Sequence, residues 1–182
     1  QAICAVLHLL NEPMNLRPWF EWVDTFPSSI AMRESLYAYP ALMTAHVVTL
    51  VMFGGLVVMM DLRLLGVAHR DTPFSEVQSR LFPWQMLGAA LSFTTGILLF
   101  YSQPLRYYGK LLYWLKMGLL VLALLNAMLF HFTTYRSIDK WDNANPPLAA
   151  KIAGVLSLGM WACIVVFGRL TAYDWLTFDP GY

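Results

Sequence analysis

Residues 111–135 read LLYWLKMGLLVLALLNAMLFHFTTY, a stretch whose apolar run is broken by Lys116, Asn126 and His131 before the terminal threonines. As a helix rising 1.5 Å per residue, it crosses the roughly 30 Å of hydrocarbon in a bilayer. Three more runs of similar length and character lie at about 39–60, 84–103 and 152–173. Over the 182 residues, 58% are hydrophobic and only 13% charged, a balance that one water-soluble core of this size would struggle to hide. The fold expected is all-α: an integral membrane, antiparallel four-helix bundle over 37–182, with the lipid bilayer as its first partner.

Ahead of the bundle, residues 1–36 form a separate N-terminal segment. Residues 1–10 are apolar but too short to span. Trp19, Phe20, Trp22, Val23 and Phe26 then alternate with Arg17, Glu21 and Asp24, the composition of an amphipathic helix lying in the headgroup plane. Pro27, Ser28 and Ser29 break that helix and start a second short one. The net charge of +1, without any basic run, speaks against nucleic acid as a partner. Cys4 and Cys163 offer neither a disulfide framework nor a cysteine metal site, and Cys4 and His8 miss the spacing for covalent haem.

Orientation follows from the basic residues. Arg63, Arg70, Arg80, Arg136, Lys140 and Lys151 lie on one side, against Arg17, Arg33, Arg106 and Lys110 on the other. The positive-inside rule then places both termini outward, in the periplasm if the membrane is a bacterial inner membrane. Small residues show where helices can approach: Gly88, Ser92 and Gly96 on the second run, Ala41 and Ala45 on the first, and Gly154 on the fourth.

Tyr39-Pro40 followed by His46, the Asp61–Gly66 turn, Leu81-Phe82-Pro83-Trp84, Lys116 after an aromatic pair, Asn126 through His131 and Gly168-Arg169 are pieces of a wider pattern. In these the chain, over about 17–175, resembles an uncharacterised bacterial family of four-span membrane proteins. The resemblance implies the architecture and directs attention to the same polar positions. It implies no activity, so function has to be argued from the site.

Ionisable groups are costly in hydrocarbon, which makes those inside the spans the first place to look for function. Counted from the outward ends, His46 lies roughly 10 Å deep, Lys116 roughly 8 Å and Arg169 roughly 6 Å, so they share a layer on three spans. Two cations and an imidazole without an acidic residue at that depth suit an anionic or oxygen-rich guest. Haem b is one candidate, with His46 on the iron and Met43 or Met117 as a weaker second ligand. His131 lies roughly 30 Å from the outward end and cannot join His46 on one haem, but with His69 it could hold an inward one. Quinone is the other candidate, accepting hydrogen bonds from His46, Lys116 or Tyr113. Taken singly, each of these residues also has a structural reading, by snorkelling, pairing with Glu34 or Asp174, or bridging helices.

The function expected is therefore an electron-transfer subunit for haem b or quinone rather than a stand-alone enzyme. It would work with other membrane or periplasmic subunits or as a homo-oligomer. The alternative is a non-catalytic scaffold or accessory subunit binding lipid or partner helices. A transporter is disfavoured, because four spans without an inverted repeat leave little room for a gated path. No hydrolase, kinase or phosphate-loop signature occurs.

Overall fold

The computed structural model describes residues 17–68, 71–142 and 145–173. Among them every regular element is helical: α1 (Arg17–Asp24), α2 (Pro27–Glu34), α3 (Ala38–Leu64), α4 (Phe74–Ser102), α5 (Pro104–Tyr108), α6 (Leu111–Phe132), a 3-10 turn (Tyr135–Lys140) and α7 (Leu148–Leu170). The four long helices, α3, α4, α6 and α7, are each long and apolar enough to cross a membrane. Their surfaces display side chains such as Val51, Ile97, Leu124 and Val155, as expected where lipid rather than water is the solvent.

Packing is by pairs. α3 lies along α4, α6 lies along α7, and α3 against α7 joins the two hairpins, while α4 and α6 do not pack along their lengths. Within each pair an amide side chain reaches across to a backbone carbonyl: Gln85 Nε2 donates to Leu56 O at 3.2 Å, and Asn126 Nδ2 to Ala153 O at 3.0 Å. Such cross-helix bonds serve where apolar burial gives helices little reason to associate in lipid. Small residues permit the approach. A Cβ at Gly88 would lie 3.1 Å from Met52 Cε and Phe53 Cβ, and one at Gly154 would lie 3.3 Å from Asp61 O. Ala41 and Ala45, expected to act likewise, are exposed.

At one end of the bundle, α3 stops on Gly66, whose φ of +71° suits glycine. Gly66 N bonds Arg63 O and Val67 N bonds Leu62 O, the paired closure of a Schellman cap. Arg63, only 2% exposed, turns back to donate Nε and Nη2 to Thr72 O at 3.0 and 2.9 Å, with Nη2 also 3.4 Å from Asp142 O. The Asp142 carboxylate caps α4 from outside the helix, accepting Ser75 N at 2.8 Å and Ser75 Oγ at 2.5 Å. Leu64, Phe74, Trp141 and Ala150 pack beneath as a buried cluster. This clasp explains why α4 begins at Phe74, ten residues before the expected start of its span and upstream of Pro83. Ser75, Glu76, Gln78 and Arg80 look like loop in an apolarity scan, yet a distant carboxylate satisfies the first turn.

At the opposite end, α1 and α2 fold over the bundle. Ser29 Oγ donates to Tyr101 O at 2.7 Å, and Arg33 pairs with Asp24 at 2.5 Å. Phe20 is buried against Phe100, Tyr108 and Trp114, while Trp19 stacks on Phe100 and stays half-exposed. The described part of the N-terminal segment is thus amphipathic, as expected, with its apolar face on α4 and α5. Lys110, 4% exposed, donates Nζ to Thr171 O at 2.7 Å and ties the start of α6 to the C-terminal end of α7, where a cation suits the helix dipole.

Candidate functional site

Beneath that cover, the four long helices enclose a cavity of about 270 Å³. Helical periodicity decides which residues reach it. α3 offers Met43, His46, Leu50 and Phe53, and α7 offers Trp161, Ile164, Gly168 and Thr171, each set following the three- and four-residue steps of one helix face. α4 contributes Ser92, Gly96 and Phe100, and α6 contributes Tyr113, Lys116, Met117 and Leu120. Tyr107 of α5 joins at the covered end. The walls are mostly apolar, and no carboxylate is among the lining residues.

His46 is held on one edge. Its Nδ1 lies 2.9 Å from Thr95 Oγ1, and the Thr95 hydroxyl has its single proton directed into its own helix, at Leu91 O (2.8 Å) and Ser92 O (3.1 Å). Threonine is therefore the acceptor, and the ring proton belongs on Nδ1, an assignment made from the hydrogen-bond network. In the neutral ring Nε2 is then left as the lone-pair nitrogen. Gly96 makes room for the imidazole: a Cβ there would stand 3.2 Å from Cε1 and 3.7 Å from Nδ1.

Lys116 lines the same cavity from α6 as His46 does from α3. Its chain lies along Gly168, where a Cβ would be 3.6 Å from Nζ. Among the described residues, no hydrogen bond or ion pair holds the Lys116 ammonium. Glu34, one expected source of counter-charge, is exposed, and Asp174 lies outside the described residues.

At the covered end, Tyr113 stacks on Phe100 at 6.0 Å between ring centroids and packs against Tyr107 at 5.3 Å. Burial, helped by a hydrogen bond with Tyr39, pushes the Tyr107 phenol well above its ordinary range. It therefore stays a protonated hydrogen-bonding group at any physiological pH.

Of the six site residues expected from the sequence, the structure brings together His46, Lys116 and Tyr113. Arg169 does not join them. It is exposed and reaches Tyr173, with Nη2 3.4 Å from the phenol oxygen and Cζ 5.6 Å from the ring centroid. A helix turns about 100° per residue, and Gly168 takes the cavity face instead. His131 is exposed near the clasp end, its ring stacked on Tyr135 at 5.3 Å. His69 lies outside the described residues, so the inward histidine pair has no geometry here. Among the described residues, no cluster of three or more His, Cys, Asp or Glu could hold a metal.

Sequence reasoning passed over Tyr107, Trp161 and Thr95, and it read Gly96 only as a point of helix approach and Gly168 only as part of the family pattern. Gly96 carried a signal, since it continues the small-residue stripe of Gly88 and Ser92 that marks the α4 face turned towards α3.

The fold and the cavity define a multi-pass helical membrane protein with a mostly apolar internal chamber carrying an imidazole and an ammonium. Its sequence from residue 19 to residue 174 matches the model of a family of unknown function, DUF6644, and the chain belongs to that family. No curated protein and no solved structure matches it.

Proposed function

We infer that the protein binds the headgroup of a quinone between His46 and Lys116, as an electron-transfer or accessory subunit of a membrane complex. The observation that carries this reading is the Lys116 ammonium, set in an apolar wall inside the bundle with no partner among the described residues. A cation in such a place is costly unless a guest supplies acceptor oxygens. A quinone has two carbonyls at opposite edges of one ring, so one can accept from Lys116 while the other meets Tyr107 or Tyr113, and the Nε2 lone pair of His46 suits a hydroxyl of the reduced form. When bound, it would supply paired electron and proton chemistry, which none of the lining side chains has of its own.

The volume favours this over haem b. About 270 Å³ is just below the roughly 300–1,000 Å³ of ordinary small-molecule sites, enough for a single substituted ring and small for a porphyrin. A haem would take His46 Nε2 with Met43 or Met117, and the bundle would have to widen to admit it. By the bias of basic residues, the cavity lies towards the outer face of a bacterial inner membrane, with both termini outward.

The test is to purify the protein in mild detergent, extract it with organic solvent, and record spectra before and after dithionite. The expected result is about one quinone per chain and no Soret band, with quinone lost in both Lys116→Met and His46→Ala. A Soret band abolished by His46→Ala would replace quinone by haem. A colourless protein that neither carries quinone nor takes up added quinone would favour a scaffold.

A further inference from the structure

Resting on the cavity as a headgroup site, the geometry points to a lateral doorway: the guest is an amphiphile whose apolar tail leaves between α4 and α6 into the bilayer. Three observations converge on it. First, the covered end is closed by successive layers. Phe100 and Tyr113 stack across the gap between α4 and α6, Phe20 and Trp19 pack on Phe100 from above, and Lys110 latches α6 to α7. A guest cannot trail a long chain through that end without unstacking it.

Second, below the Phe100–Tyr113 pair, α4 and α6 do not pack along their lengths, whereas the other three sides of the bundle are closed by α3 on α4, α3 on α7 and α6 on α7. Third, two residues that line the cavity are also among the exposed apolar residues of the bundle: Phe93 at 55% and Ile97 at 64%. A side chain that lines a chamber and is exposed on the bundle's flank stands at the chamber's mouth. Because α4 is a membrane-spanning helix here, that mouth opens on hydrocarbon, not on water.

Polarity runs the same way. The ammonium and imidazole are inside, and the mouth offers only carbon. A molecule matching that gradient has an oxygen-bearing ring and a hydrocarbon tail, which identifies the guest as a lipid-borne, prenylated quinone rather than a small polar solute arriving from water.

The experiment uses the full chain in lipid nanodiscs and two probes, a benzoquinone without a tail and the same ring carrying an isoprenoid tail of several units. Ile97→Trp fills the mouth at a site exposed enough to leave the fold intact. It is expected to weaken the tailed probe about tenfold or more, as apolar contact is lost, and the tail-less probe less than about twofold. Phe93→Trp, one turn earlier, gives the same readout independently of how Ile97→Trp folds. Leu122→Trp, exposed on α6 and at least about 120° around the helix from each of its cavity-lining residues, should change neither.

Equal loss of both probes in the two mouth variants would make Phe93 and Ile97 part of the ring pocket and overturn the doorway. No loss of either would overturn it as well, leaving the headgroup site standing. If the unaltered protein bound neither probe, the headgroup site itself would fall, and the doorway with it.

Discussion

The two ends of this bundle treat buried charge in opposite ways. At the clasp, Arg63 is almost wholly buried and spends its guanidinium on backbone carbonyls, while Asp142 spends its carboxylate on the first turn of α4. At the cavity, Lys116 faces open volume whose wall also carries a histidine. An isolated cation in a low-dielectric wall is costly, and a cation bonded to carbonyls is much less so. The first arrangement is what a fold does to hold itself together, and the second is what it does to hold something else. Sequence position alone makes the two cations look alike, since both lie in or at the end of an apolar run.

If that contrast is right, removing each cation should have opposite consequences. Arg63→Leu strands Thr72 O and loosens the loop over Phe74, and it is expected to cost about 3 kcal/mol, in line with losing hydrogen bonds made by a charged group. Thermal unfolding in detergent should show a clearly lowered Tm, with quinone bound per folded chain unchanged. An unaltered Tm would remove the distinction between the ends.

Lys116→Met keeps the chain length and removes an uncompensated charge, so its Tm should stay level or rise. Its affinity for a tail-less benzoquinone should fall by about ten- to a hundredfold, the worth of a charge-assisted hydrogen bond. A Tm loss as large as that of Arg63→Leu would return Lys116 to the structural cations.

Much of this was readable from the chain, for a definite reason. Apolar runs report the long axis of a helix, so the four spans, and the pairing of His46 with Lys116 in one cavity, come from counting residues. Azimuth does not come from counting. Arg169 and Gly168 differ by one residue and face different surroundings, and only the partner helices decide which of them sees the cavity. The start of α4 was hidden because its cap, Asp142, is far along the chain. Lys110, readable only as a loop cation for orientation, is a buried latch because the last turn of α7 ends beside it.

Within the clasp one group departs from the rule and sharpens the comparison. Asp61 is 5% exposed, and its Oδ2 is buried with no hydrogen-bond partner among the described residues. Asp61→Asn keeps the shape and removes the charge, and stability should hold or gain up to about 1 kcal/mol by Tm. Quinone binding should not change, because Asp61 does not line the cavity. A loss of binding would couple the two ends and break their separation.

The smallest effect is expected at Gly96, where helix propensity and cavity geometry oppose each other. Alanine gains about 0.8–1.0 kcal/mol over glycine within a helix, but its methyl would stand 3.2 Å from His46 Cε1. The same exchange at Gly88 presses on the Cβ and backbone Cα of Phe53, 3.1 and 3.3 Å away, and helix backbone cannot step aside. The His46 ring can, because its far side faces open volume. Gly96→Ala should therefore leave Tm nearly level while stretching the Nδ1–Thr95 bond and weakening quinone by about threefold, a fraction of a kcal/mol. Gly88→Ala should lower Tm and leave affinity alone. If both glycines cost stability and neither touches binding, His46 is packed as tightly as Phe53, and the space beside it is not a place kept for a guest.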